Sequence, residues 1–124
     1  MFDHISIGVR DIAKAKAFYD AALKPLGLTC LSADETSLGY GKEAAGFWIY
    51  AAEHPVPDDP KSGLHFCFTA PSRQGVEAFH KAAMAHGGRD NCKPGVRKDY
   101  GPNYYAAFVA DPDGYRLEAY YGGK

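Results

Sequence analysis

The sequence lacks the features that mark several common classes of protein. Its three cysteines, Cys30, Cys67 and Cys92, show no CxxC spacing, which argues against a disulfide framework and a thiolate zinc site and is typical of a reducing compartment. No apolar run approaches the roughly 20 residues that span a bilayer. The N-terminus is polar by its third residue, unlike a signal peptide. Because the net charge of −1 is spread along the chain, we expect a cytoplasmic protein that binds neither nucleic acid nor membranes.

A repeat divides the chain into two halves. Segment 2–6 (FDHIS) aligns with segment 63–67 (GLHFC) at an offset of 61 positions, and the same offset relates Phe18 to Phe79. The stretch between the halves holds three prolines and two aspartates, as linkers do. The length suits a single domain. We predict one domain, 1–124, in which a first module (1–53), a linker (54–62) and a second module (63–124) share one core.

Hydrophobic periodicity predicts the same order of elements in both modules. Alternating apolar residues predict a strand at 2–9, and apolar spacings of three and four after the N-cap residue Asp11 predict a helix at 12–23. Weaker strand patterns follow at 28–32 and 37–41, and a stronger one, with Trp48 and Tyr50 on one face, at 46–52. The second half contains a predicted strand at 63–70, a helix from Ser72 to about His86, a polar loop at 91–103, and strands at 104–110 and 115–121 joined by a tight turn at 111–114. The predicted fold class is α+β.

Side-chain alternation places three potential metal ligands opposite the apolar rows of their strands. These are His4, His65 and Glu118. Two imidazoles and one carboxylate that converge from three strands suit one divalent ion, Fe, Mn, Ni or Zn, and leave coordination positions open for substrate. The repeat aligns Tyr50 with Glu118, so we expect three protein ligands and not four. The alternative is structural: hydrogen-bonded histidines, a carboxylate paired with Arg116, or a vestigial site.

Aromatic residues and one cysteine share the predicted ligand face. Trp48, Tyr50 and Tyr120 either shape a substrate pocket or fill space. Cys67 is a small filler or a pocket thiol. Tyr104, Tyr105 and Arg97 are weaker pocket candidates near the predicted loop. Glu118 is a candidate catalytic base, with a metal-bound water as the alternative.

Several short motifs resemble a known superfamily. Segments 2–11 (FDHISIGVRD), 17–19 (AFY) and 26–27 (LG) are similar to the opening of vicinal oxygen chelate proteins, which include glyoxalase I, bleomycin-resistance protein, type I extradiol dioxygenases and fosfomycin-resistance transferases. Segments 104–109 (YYAAFV), 111–114 (DPDG) and 117–118 (LE) are similar to their ending. The resemblance implies two βαβββ modules that form an open, cupped mixed sheet.

The resemblance also implies a site and a function. His4, His65 and Glu118 match the ligands on the first, fifth and eighth strands, as in the dioxygenases and transferases, whereas glyoxalase I adds a glutamate on the fourth strand. The implied function is a small metal-dependent enzyme (dioxygenase, transferase or glyoxalase-like lyase) whose substrate chelates the ion through adjacent oxygens. The alternative is a metal-free protein that sequesters a small molecule, as bleomycin-resistance proteins do. A homodimer is expected, with the ligand trio either within one chain or shared by two.

Overall fold

The computed structural model of the chain, which describes residues 1–123, contains the same βαβββ unit twice. The elements of the first unit are β1 (Ile5–Val9), α1 (Ile12–Leu23), a 3-10 turn (Lys24–Leu26), β2 (Thr29–Ala33), β3 (Ser37–Gly41) and β4 (Ala45–Ala51). Those of the second are β5 (His65–Thr69), α2 (Arg73–Ala85), β6 (Arg89–Val96), β7 (Tyr105–Ala110) and β8 (Arg116–Tyr121).

Each unit forms its own four-stranded mixed sheet, in the orders β1-β4-β3-β2 and β5-β8-β7-β6. The first and last strands of each unit run parallel, and the other pairs are antiparallel. Neither sheet closes into a barrel, so the predicted α+β class and open architecture are confirmed. Because β1 and β5 lie at sheet edges, each leaves a row of backbone groups without a strand partner in this chain.

The helices begin where capping side chains are available. The carboxylate of Asp11 accepts hydrogen bonds from the amides of Ala13 and Lys14 at 3.0 and 3.1 Å, and the hydroxyl of Ser72 accepts one from Gly75 at 3.0 Å. Both helices contact each other as well as their sheets. The shared core between them includes the fully buried side chains of Phe18, Tyr19, Phe79, Val109 and Leu117.

The predicted loop at 91–103 is wrong in its first part, because residues up to Val96 belong to β6. Antiparallel pairing with β7 satisfies the backbone of this polar segment, which local propensity could not reveal. The register shifts twice, between Asp90 and Cys92 and between Cys92 and Gly95. Bulges of this kind, on an edge strand, accommodate Pro94 and the polar side chains that suggested a loop.

Strand register also corrects the internal alignment of the repeat. Ser6 of β1 pairs with Trp48, and its repeat equivalent Cys67 of β5 pairs with Glu118. Trp48 is therefore the structural counterpart of Glu118, whereas Tyr50 corresponds to Tyr120. The first module thus supplies an indole where the second supplies a carboxylate.

A buried aspartate in the β7–β8 turn joins the two modules. Asp111 is 1% exposed, and its Oδ1 accepts hydrogen bonds from the amides of Asp113 and Tyr115 at 2.9 Å. Its Oδ2 accepts a hydrogen bond from the hydroxyl of Tyr19 on α1. The hydroxyl of Tyr115 donates to the carbonyl of Gly8 on β1 at 2.7 Å. The predicted turn residue therefore also anchors one module to the other.

We expect Asp111→Ala to lower the free energy of unfolding by about 2–4 kcal/mol, because it leaves two buried amides and a hydroxyl without an acceptor. Tyr19→Phe should cost about 1 kcal/mol, since it removes one hydrogen bond and keeps the ring. Urea denaturation measures both. If Asp111→Ala lowers the free energy of unfolding by less than Tyr19→Phe does, Asp111 does not anchor the two modules to each other.

The pH dependence of stability should carry the signature of Asp111. Burial raises the pKa of this carboxyl from 3.8 to about 6, so the folded state takes up a proton over a pH range in which unfolded aspartate is still ionised. Between about pH 7 and pH 4 the wild-type protein should therefore gain about 2 kcal/mol relative to Asp111→Asn, which has no carboxyl to titrate. Paired urea denaturation series measure this difference. A difference independent of pH contradicts the assignment.

Candidate functional site

The open face of the second sheet carries a buried carboxylate. The register places Glu118 between Cys67 on β5 and Phe108 on β7. Glu118 is 3% exposed, and its Oε1 lies 3.1 Å from Nε2 of His65. Its other oxygen, Oε2, accepts a hydrogen bond of 2.6 Å from the hydroxyl of Tyr104. Because burying a carboxylate costs stability even when it is paired, a glutamate buried at this position is a candidate functional group.

Tyr104 covers Glu118 from the end of the segment that follows β6. Its ring packs against Tyr120, with centroids 4.2 Å apart, and against Tyr100 at 5.1 Å. Desolvation and the hydrogen bond to Glu118 raise the pKa of the Tyr104 hydroxyl above its usual value. The phenol therefore stays protonated and acts as the donor.

Cys67 faces the same carboxylate. Desolvation of its sulfur and the negative charge of Glu118 raise the pKa of the Cys67 thiol to about 12. Because the thiolate is the nucleophilic form of cysteine, the exposed Cys67 side chain stays a neutral thiol near pH 7.

The corresponding face of the first sheet is aromatic. The rings of Trp48 and Tyr50 stack with centroids 6.3 Å apart and planes 19° from parallel, and Tyr50 is 44% exposed. The indole lies over Gly39, where an added Cβ would come within 2.7 Å of a ring carbon. A glycine at this point of β3 thus makes room for the ring.

His4 lies just before β1, on the edge of the first sheet. Its side chain is 51% exposed, and Nδ1 is 2.7 Å from a carboxylate oxygen of Asp3. Within residues 1–123, no three His, Cys, Asp or Glu side chains are grouped as metal ligands. One chain therefore brings His65 and Glu118 together but leaves His4 apart from them. The trio stays a prediction, and with it the alternative of sharing between two chains.

The weaker pocket candidates occupy different positions. Tyr105 donates a 2.6 Å hydrogen bond to Glu77 on α2, so its hydroxyl lies on the helix side of the sheet. Arg97 lies over the ring of Phe108 at 5.6 Å. Phe108, which pairs with Glu118, was not singled out from the sequence. It lies four residues after Tyr104, so the two-residue period of a strand would have placed both side chains on the same face.

An apolar groove of about 800 Å³ lies between the edges of the two sheets. His65 and Cys67 line one side of it. The aromatic rings of Phe47 and Phe68 meet at its base with centroids 5.4 Å apart. The groove therefore runs from the first module to the two residues His65 and Cys67 of the second.

Comparison with known proteins assigns the chain to a family. A sequence profile of the Glyoxalase/Bleomycin resistance protein/Dioxygenase superfamily matches residues 1–119. The chain therefore belongs to this superfamily, which confirms the resemblance seen in its motifs. Proteins of this superfamily generally use a divalent metal ion, bind small molecules and often form dimers. No curated protein shows a significant sequence match.

Solved structures show the same fold over almost the whole chain. A glyoxalase/bleomycin resistance protein from Albidiferax ferrireducens is 34% identical, with 98% of each chain covered and a TM-score of 0.85. A glyoxalase/bleomycin resistance protein/dioxygenase family enzyme from Burkholderia phytofirmans is 16% identical, with 98% of each chain covered and a TM-score of 0.72. The fosfomycin resistance protein FosX from Listeria monocytogenes is 15% identical over 99% of this chain and 93% of its own, with a TM-score of 0.72.

Neither helix within residues 1–123 has the length and apolar character needed to cross a membrane.

The packing of Trp48 on Gly39 can be tested directly. Gly39→Val should displace the indole, lower the free energy of unfolding by about 1–3 kcal/mol and change the emission of the single tryptophan, because the added carbons occupy the space of the ring. Gly46→Val is the matched control, since its nearest neighbour to an added Cβ is 3.9 Å away. Fluorescence and urea denaturation measure both effects. Equal emission spectra for the two variants would contradict the packing.

Proposed function

We propose that this protein is a metal-dependent enzyme of the vicinal oxygen chelate type, acting on a small molecule that binds a divalent ion through two adjacent oxygens. The observation that supports this most is the buried carboxylate of Glu118, which faces the imidazole of His65 on the side of the sheet away from α2. A structural role alone does not require a charged group there, because an apolar side chain would be buried at lower cost.

The chemistry of these two side chains fits a metal ion. Ligand bonds of about 2.0–2.2 Å place two neighbouring donors about 3.0–3.4 Å apart around one ion. Nε2 of His65 and Oε1 of Glu118 are 3.1 Å apart. Imidazole and carboxylate are donors that Fe, Mn, Ni and Zn all accept. One chain thus offers two preformed ligands.

We place the third ligand, His4, on a second copy of the chain. The half-exposed His4 adjoins edge strand β1, and His65 begins edge strand β5, so two symmetry-related chains can set these edges side by side. The apolar groove between the edges, lined by Phe2, Ile5 and the aromatic rings at its base, gives such a dimer a surface to bury. The proposed site therefore combines His4 of one protomer with His65 and Glu118 of its partner.

Within this site each side chain has a distinct task. His65 and Glu118 would hold a divalent ion. That ion would act as a Lewis acid toward two adjacent substrate oxygens. Trp48 and Tyr50 line the first sheet, and Tyr120 lines the second, as aromatic walls that exclude water. Glu118 is also the candidate for moving a proton, with a metal-bound water as the alternative.

Metal analysis of mixed variants tests both the ion and its sharing. The wild type should hold about one ion per chain, and His4→Ala and His65→Ala should each hold almost none. Refolded together in equal amounts, these two variants should recover about a quarter of the wild-type content, because half of the dimers pair unlike chains and each of those has one intact site. Mass spectrometry of protein prepared without chelator measures this.

The two parts of the proposal fail separately. No recovery in the mixture, with a loaded wild type, means that each site comes from one chain. A wild type that remains empty after reconstitution with Fe(II), Mn(II), Ni(II) and Zn(II) overturns the metal-dependent function.

The exposed aromatic stack of Trp48 and Tyr50 favours one alternative, a metal-free protein that sequesters a flat small molecule. Catechol, which carries two adjacent oxygens, separates the two functions. Quenching of Trp48 emission by catechol should disappear after EDTA treatment if binding runs through an ion. Quenching that is indifferent to EDTA and to His65→Ala supports the sequestering protein.

A further inference from the structure

We infer that Tyr104 is a positioning residue that holds the carboxylate of Glu118 so that only one of its oxygens is presented to the metal ion. This inference rests on the proposed function and adds a residue to it. Tyr104 itself is not a ligand in this arrangement, and it acts through Glu118.

The two oxygens of Glu118 have different partners. Oε2 accepts the hydrogen bond from the Tyr104 hydroxyl at 2.6 Å, whereas Oε1 is directed to Nε2 of His65 at 3.1 Å. A carboxylate free to rotate could offer either oxygen or both. The phenol removes that choice, because its charge-assisted hydrogen bond holds Oε2 and leaves Oε1, beside the imidazole, as the oxygen that can bind a metal ion.

The phenol itself is held in place from two sides. Its ring lies between those of Tyr100 and Tyr120, at centroid distances of 5.1 and 4.2 Å. The backbone is fixed as well: the amide of Tyr104 donates to the carbonyl of Gly101 at 3.3 Å, and its carbonyl accepts from the amide of Arg97 at 2.7 Å. The hydroxyl therefore reaches Glu118 from a rigid support, as an orienting group must.

The burial of Glu118 also depends on this cover. Its neighbours in the sheet, Cys67 on β5 and His65 one step along, are exposed, yet Glu118 is 3% exposed. Tyr104 closes the side of the carboxylate that faces away from His65. It thus excludes water from Oε2, and this strengthens the hydrogen bond that orients the group.

The test compares Tyr104→Phe with Tyr100→Phe, both measured with Mn²⁺ alone as the probe. Each variant loses one hydroxyl from the same aromatic cluster, but only Tyr104 bonds to Glu118. Tyr104→Phe should bind Mn²⁺ about 10–100-fold more weakly, and Tyr100→Phe should match the wild type. Isothermal titration calorimetry measures the affinities, and thermal unfolding of the metal-free proteins verifies that both variants are folded.

A second readout needs no metal. The Tyr104 hydroxyl proton should give a protected, low-field proton NMR signal in the wild type and in Tyr100→Phe, and the signal should be lost in Tyr104→Phe and Glu118→Ala. Equal Mn²⁺ affinity in wild type and Tyr104→Phe, or a wild type without this signal, overturns the inference. Failure of the wild type itself to bind any of the four metals is visible without the variants and overturns the proposed function instead.

Discussion

The joint at Asp111 is the constraint on which the rest of the structure depends. Each module has a sheet covered by one helix, which is too little to bury a core alone. Asp111 ties Tyr19 of α1 to the turn that follows β7, and Tyr115 ties the same turn to β1. Both helices contact each other as well as their own sheets. The three donors that surround this carboxylate offset part of the energetic cost of burying it, and its pKa stays raised.

Because each helix packs on one face of its sheet, the other face of the second sheet is left to carry His65 and Glu118. The sheet face that contacts solvent can carry polar groups, whereas the face that packs on the helices is restricted to apolar side chains. Glu118 combines both conditions: it stands on the open face but is covered by His65 and Tyr104. The structure thus keeps a desolvated carboxylate beside an accessible imidazole.

Much of this could be predicted from sequence because it depends on short-range patterns. Alternation placed His65 and Glu118 on one face, and the caps at Asp11 and Ser72 located both helices. Strand β6 was missed because its pairing with β7 is long-range, and local polarity outweighed it. The equivalence of Trp48 and Glu118 was missed because a bulge and a loop of different length changed the spacing between the repeats, so that only hydrogen-bond register reveals it.

The sequence by itself determined the fold class, the duplicated module and the side of the strand on which His65 and Glu118 each lie, because periodicity and capping act over a few residues. Only the tertiary structure decided which of them meet. Contact between β5 and β8 brings His65 to Glu118, and the segment after β6 brings Tyr104 to the same carboxylate, whereas His4 stays at the edge of the other sheet. These distances depend on packing between segments far apart in the chain, which no local pattern encodes.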